Sequence, residues 1–300
     1  MTITRRQALL LALLTLLWGC NWPMMKFSLR EVGPLAFRAI TMTGGVLALA
    51  LWLRARGQSL TLPRGALLRV AALSLPNIVG WHLGSIIGLT LLGAGRASIL
   101  AFTMPVWTVL LGALLFGQAL APRAWVASAC ALAAVGLLAI DELTALAGRP
   151  LGVLWLQVAA VSWALGTLLM RRIQVEATTE VLTLWMMGLG ALVFSAAAFA
   201  FEPLPAASHW SAATWASLAW GALVNFGFSQ LLWFGLAREL PAQASSFSLM
   251  AVPLVGVVSS ALALGERPRL TDWIAAAFIA LAIASATGAL SARTRGDNAR

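Results

Sequence analysis

The stretch that decides the fold is Pro105-Val106-Trp107-Thr108-Val109-Leu110-Leu111-Gly112-Ala113-Leu114-Leu115-Phe116-Gly117, followed by Trp125. It is apolar almost throughout, and its punctuation returns later in the chain. Pro105, Gly117 and Trp125 recur 148 residues on as Pro253, Gly265 and Trp273, and Trp18 with Lys26 recurs 145 residues on as Trp163 with Arg171. The chain therefore reads as two copies of one unit, residues 1–145 and 146–300.

A composition of 61% hydrophobic and 10% charged residues exceeds what a soluble globule of 300 residues can bury, which implies an integral membrane protein. At about 20 residues per span, apolar runs occur near 8–27, 34–53, 68–88, 94–116, 123–140, 151–170, 181–200, 214–236, 242–264 and 272–290. Backbone polar groups must be satisfied internally in lipid, and the runs lack the alternation of a barrel strand. The expected fold is an all-α integral membrane bundle of ten transmembrane helices in two five-helix repeats. An odd number of spans per repeat turns the second copy upside down, the plan of proteins that alternate access around a site at the repeat interface.

The net charge of +10 does not point to nucleic acid, because the basic residues sit in short loops between apolar runs. With a cytoplasmic N-terminus, thirteen of the twenty Lys and Arg fall on the inside, so both termini are expected in the cytoplasm. Lys26, Arg30, Arg38, Arg96, Arg149, Arg267 and Arg269 then lie outside or at outer helix ends. Arg5-Arg6 and Leu17-Trp18-Gly19-Cys20 superficially resemble export signals. Trp18 is too bulky for a cleavage box, so the first helix is expected to be retained. Cys20 and Cys130 fall inside spans and read as core residues rather than a disulfide.

Ala97-Ser98-Ile99-Leu100-Ala101-Phe102-Thr103-Met104-Pro105, continuing through Gly117 to Trp125 and Gly136, resembles the half-repeat of the drug/metabolite transporter superfamily in its ten-helix EamA-type branch. The second copy, from Ala244-Ser245 to Pro253 and on to Leu264-Gly265-Glu266-Arg267, is closer to that pattern, and Leu17-Trp18-Gly19-Cys20-Asn21-Trp22 with Lys26 resembles the family's opening helix. The resemblance covers nearly the whole chain. It implies transport of a small molecule across a bacterial-type inner membrane, with members that carry amino acids, other metabolites or drugs, commonly outward. Gln118 departs from the pattern, since the family's first repeat usually carries an acid there, as the second does at Glu266.

All ten acids fall in loops or at helix ends. A proton relay or a cation site inside the membrane needs a carboxylate there, so facilitated movement is favoured over acid-coupled antiport. Neither a metal cluster nor a catalytic triad can be assembled, which argues against an enzyme and against a cofactor.

His82 reads as the one ionisable residue well inside a span, next to Trp81 and near Asn77. An intramembrane ionisable group is a site candidate, although a neutral histidine bonded to a neighbouring helix would serve as structural glue. Asn225 repeats Asn77, and Gln230 follows on the same span. Trp18, Asn21 and Trp22 share one face of the first helix. With Trp163 these form the expected substrate-binding set: Trp18, Asn21, Asn77, Trp81, His82, Trp163, Asn225 and Gln230.

Of the fourteen tryptophans, Trp52, Trp125, Trp155, Trp210, Trp215 and Trp273 read as interfacial anchors. Trp107, Trp185, Trp233, Phe102, Phe226, Phe228 and Phe247 read as deeper. Pro105 and Pro253 occupy matching places in both repeats and are expected as hinges. Ala127 with Ala131, and Ala280, Ala284 and Gly288, mark close helix contacts, within the bundle or between protomers.

An interior of indoles and amides without a carboxylate suits a bulky, neutral or zwitterionic cargo such as a large neutral or aromatic amino acid. Lys26 could hold its carboxylate on exit, or snorkel. A drug or nucleotide-type exporter and a non-transporting membrane scaffold or receptor are the competing readings. The expected partners are a small-molecule substrate and the lipid bilayer.

Overall fold

The computed structural model describes residues 4–119, 122–145, 148–203, 207–230, 232, 236 and 242–286, and every regular element among them is helical. In chain order these are α1 (Arg5–Ser28), α2 (Pro34–Ala55), α3 (Leu67–Ser74), a π-helical turn Leu75–Gly80, α4 (Trp81–Leu91), α5 (Ala94–Ala101) and α6 (Met104–Phe116). Then come α7 (Pro122–Thr144), α8 (Pro150–Met170), α9 (Thr179–Phe201), α10 (Ala212–Ala219), a second π-helical stretch Trp220–Ser229, α11 (Ala242–Leu264) and α12 (Leu270–Ala286).

Among the described residues, seven helical runs are long and apolar enough to cross a membrane: Arg5–Ser28, Pro34–Ala55, Leu67–Leu91, Ala94–Phe116, Ala124–Thr144, Pro150–Met170 and Thr179–Phe201. They fall on the first seven expected spans. Shorter apolar helices, Ala251–Leu264 and Leu270–Ser285, fall on the ninth and tenth. The eighth expected span runs partly through residues outside the described ones. Leu51, Leu68, Leu114, Phe199, Phe201 and Leu262 are exposed on the outside of the bundle, as side chains that face lipid should be.

The helix starts follow from local chemistry. Thr4 and Gln7 form a reciprocal capping box ahead of α1, and the Thr178 and Ser211 hydroxyls accept from Val181 N and Thr214 N. Pro34 and Pro150 open α2 and α8, where a missing N–H costs no helix bond. Pro76 sits inside a run that stays helical by widening to the π form, and Asn77 Nδ2 donates to Leu73 O at 2.9 Å across it.

Pairs of helices from the two halves build the bundle: α1 packs on α11, α2 on α9 and on Trp220–Ser229, α4 on α8, α5 on α11, α6 on α8, and α7 on α12. Small residues permit the close crossings. At Gly84 in α4 an added Cβ would stand 2.7 Å from Trp155 O and 2.8 Å from Ala159 N, so these backbones nearly touch. Ala127 and Ala131 of α7 share a buried cluster with Ala275, Ala276, Ile279 and Ala282 of α12. That contact lies inside the chain; Gly288 lies outside the described residues.

Two aromatic expectations are corrected. Trp185 is 36% exposed, and its indole donates to Leu60 O at 2.7 Å, pinning the loop after α2. Phe228 is 49% exposed. The helix around Trp185 is apolar on nearly every side, so its sequence gives little sign of which face turns inward. Trp233 and Phe247 have side chains outside the described residues.

Candidate functional site: the interior between the two halves

Trp81 of α4 and Trp163 of α8 meet edge to face with ring centroids 5.1 Å apart, joining the first half of the chain to the second through two indoles. Trp18 is half-buried on α1 and packs against the same central cluster, together with Trp107. The Trp107 indole N–H donates to Gln157 Oε1 at 2.9 Å, and Thr103 Oγ1 lies 3.2 Å from the same oxygen. Gln157 is therefore a half-buried polar anchor of α8 that the sequence reading passed over. His82 is buried beside Phe226, ring centroids 5.1 Å apart, and its Nδ1 has no hydrogen-bond partner. Asn21 is buried too, with Oδ1 unpartnered.

The structure thus brings Trp18, Trp81 and Trp163 to one interior cluster, with His82 on the adjoining turn of α4. Asn77 is different. Its amide bonds its own helix and its side chain packs against Gly166 of α8, so it braces the π turn and the α4–α8 crossing. Asn225 lies half-buried in the second π stretch, and Gln230 follows that stretch as its cap.

The matched prolines differ in setting. The run Ala94–Phe116 breaks at Phe102–Thr103, and Pro105 is the second residue of α6, where its ring meets no preceding helical turn. Pro253 lies inside α11, which continues unbroken from Ala242 to Leu264.

Three cations expected outside or at outer helix ends turn out to be held in the bundle. Lys26 Nζ points inward and donates to Leu89 O at 2.6 Å and Leu92 O at 2.8 Å, closing the last carbonyls of α4. It is bonded to protein rather than snorkelling. Arg38 is 2% exposed, and His82 is consequently not the lone buried ionisable group. Arg38 Nη2 donates to Ser85 Oγ at 3.0 Å, and Nε has no partner.

Arg96, the third residue of α5, is the hub of an ionic cluster at one end of the bundle. Its guanidinium bonds Asp141 at 2.7 Å and Asp272 at 2.8 Å, and also pairs with Glu142. Arg269 reaches Asp141 at 3.2 Å. Alongside, Glu266 accepts from Ala94 N at 2.7 Å and Gly95 N at 3.1 Å, sitting on the positive end of α5. Glu202 does the same for α2, accepting from Leu35 N and Ala36 N at 2.8 Å each. In the loop between α1 and α2, Glu31 accepts from Ser211 N at 2.8 Å, and that bond holds its carboxyl below the usual carboxylate range.

A bundle of long apolar helices, with Trp81 and Trp163 meeting between its two halves, is a multi-pass membrane protein. The EamA-like transporter family matches residues 5–140 and again 150–288, and the chain belongs to that family. It is therefore a membrane transporter and not an enzyme. Among relatives, the uncharacterized transporter YoaV of Bacillus subtilis (strain 168) is 26% identical over 282 residues, 93% of this chain and 96% of YoaV. YvbV of the same strain, also an uncharacterized transporter, is 29% identical, covering 87% of this chain and 85% of YvbV. The uncharacterized inner membrane transporter YedA of Escherichia coli (strain K12) is 26% identical, covering 91% and 88%. Such relatives and the apolar helices make this a multi-pass inner membrane protein. A crystal structure at 23% identity shares the fold, with a TM-score of 0.66 over 97% of this chain and 99% of the other.

Proposed function

We propose that the chain exports small metabolites, large neutral or aromatic amino acids foremost, by alternating access between two inverted five-helix halves, residues 1–145 and 146–300. Ten spans then cross the membrane with both termini in the cytoplasm, in keeping with the arginine asymmetry. The packing supports the inversion because several of the larger contacts have mates under exchange of the halves. The pairing of α1 with α11 is answered by α8 with α5 and α6, α2 with Trp220–Ser229 by α9 with α3, and α8 with Leu75–Gly80 by α1 with Trp220–Ser229. The α2–α9, α5–α11 and α7–α12 pairs answer themselves. The two π-helical stretches, six and ten residues long, fall at corresponding places in the halves, and π-helical departures inside α-helices are frequent at functional sites.

One observation carries the cargo reading: the indole pair Trp81–Trp163 sits in the interior between the halves, while every carboxylate among the described residues lies in a loop or in the end turns of a helix. Indoles and neutral amides favour a flat apolar side chain on a molecule that brings its own compensating charges. A cation alone would need an acidic partner at that depth. The same lack of an acid supports facilitative movement.

Counterflow in proteoliposomes with amino acids, nucleotides and cationic dyes tests the reading. Phenylalanine and tryptophan should exchange faster than lysine, arginine or dyes, with or without a proton gradient, and Trp163→Ala and His82→Ala should each slow that exchange. Preference for dyes or nucleotides would overturn the cargo, dependence on the proton gradient would overturn the facilitative mode, and folded protein without flux would return the scaffold reading. Equal labelling from outside of cysteines placed at Ser291 and Ala145 would overturn the topology.

A further inference from the structure

Arg38 is a buried cation without an anion. It lies on the second turn of α2, about 6 Å from the helix start, is 2% exposed, and forms no ion pair with a carboxylate of the described residues. The contacts it makes are uncharged: Ser85 Oγ from α4, and the ring of Phe37 on its own helix, 5.8 Å from the guanidinium carbon. Phe226 of the second π stretch packs on His82, one turn before Ser85. A charge withdrawn from water in such a setting is expensive unless something pairs with it. Lys26, which also points inward, is not available, since it is bonded to helix carbonyls, and Arg96 is paired with carboxylates.

We propose that Arg38 is the receptor for a carboxylate of the transported molecule, so that the cargo class is apolar monocarboxylates and the amino group is dispensable. This rests on the transport reading above and narrows it. One guanidinium balances one negative charge, which fits a carboxylate and leaves a phosphate dianion half-compensated. The unpartnered Nε belongs to a planar fork that matches carboxylate geometry, and Ser85 holds that plane through Nη2. His82, one turn before Ser85 with Nδ1 unpartnered, adds a second polar group on the same face of α4. The Trp81 ring, adjacent in sequence, meets Trp163 and offers a flat surface to the apolar end of the same molecule. Among the described residues no carboxylate lies mid-span to meet an ammonium, so 2-oxo acids should be carried as well as amino acids.

The test is counterflow by the full chain in proteoliposomes with phenylalanine, phenylpyruvate, phenylalanine methyl ester and phenethylamine, for wild type, Arg38→Lys and Arg38→Gln. Wild type should carry the two acids and neither the ester nor the amine. Arg38→Gln should lower flux of both acids at least about tenfold, the loss of a charge-assisted hydrogen bond, and Arg38→Lys should keep part of it. Ester or amine flux equal to that of the acids, or full flux in folded Arg38→Gln, overturns the assignment. Should Arg38→Gln fail to fold, the wild-type contrast of acid against ester decides alone. If wild type carries only dyes or nucleotides, the amino-acid reading falls by itself. Arg38 is then judged by the wild-type Tm: a rise with phenylpyruvate and none with the ester upholds the receptor, and no rise with either overturns it.

Discussion

Replacing Arg96 with glutamine removes the one cation shared by Asp141, Glu142 and Asp272, side chains that come from the far end of α7 and the first turn of α12. The Arg96 side chain is only 12% exposed, so water screens the cluster poorly. At an effective dielectric near 20, charge centres about 4 Å apart attract by about 4 kcal/mol per pair, from which the mutual repulsion of three carboxylates must be subtracted. Removing one partner of a buried pair typically costs about 3–5 kcal/mol, because the remaining charge stays buried without compensation. Arg96→Gln is thus expected to lower stability by about 3 kcal/mol, and Asp272→Asn by less, since two carboxylates still face the guanidinium. The double variant should recover part of the loss, giving a coupling of at least about 1 kcal/mol in a double-mutant cycle. Thermal unfolding in detergent, at fixed salt and pH, measures all four corners of the cycle. Costs that add to within about 0.5 kcal/mol would refute the argument that Arg96 holds α5, α7 and α12 together through its charge.

Glu266→Gln leaves one oxygen acceptor for two backbone donors of α5 and removes the charge at its positive end, so a loss of about 1 kcal/mol in unfolding free energy is expected. Gly84→Ala drives a methyl against the α8 backbone and should cost about 1–3 kcal/mol, read from the same melts. Pro253→Ala restores a hydrogen bond inside α11 and Pro105→Ala changes little in the first turn of α6, so Pro253→Ala should slow counterflow more while both variants fold; unchanged rates in both would remove the hinge role. Because the Glu31 carboxyl is held below its ordinary value when folded, its contribution is complete above the usual carboxylate range and is lost as pH falls through the lowered value. Glu31→Gln should flatten that acid-side loss in a pH series of Tm values.

The spans were legible because lipid makes only one demand of the backbone, and runs such as 34–53 or 181–200 answer it by length and apolarity alone. Which face of a span turns inward was not legible where the helix is apolar nearly all round, and Trp185 of α9 went to the wrong side for that reason. Asn77 was read as a site residue from its polarity, but the residue before it is Pro76, and the amide serves the backbone that the proline disturbs. Arg38 was hidden by its position. An arginine five residues into a helix reads as an interfacial anchor, and its burial depends on α4, whose Ser85 stands 47 positions away. The Arg96 cluster was hidden likewise, since its members are ordinary loop and helix-end charges until α5, α7 and α12 bring them together.

On the proposed inversion the two ends of the bundle would share a backbone but not a chemistry. The 148-residue offset that matches Pro105 to Pro253 carries Arg96 onto Ala244, Asp272 onto Ala124 and Glu266 onto Gln118. The end built by α5, α7, α11 and α12 is tied by charge-assisted bonds, while the corresponding positions at the other end hold two alanines and an amide. An alternating-access protein needs its two states within a few kcal/mol of each other, and the cluster around Arg96 alone is of that size. The state in which that end is closed is then favoured until cargo binding offsets the cost of parting the charges. Under the topology proposed, that end faces outward, which keeps an empty carrier closed to the outside and open to the cytoplasmic pool it would export.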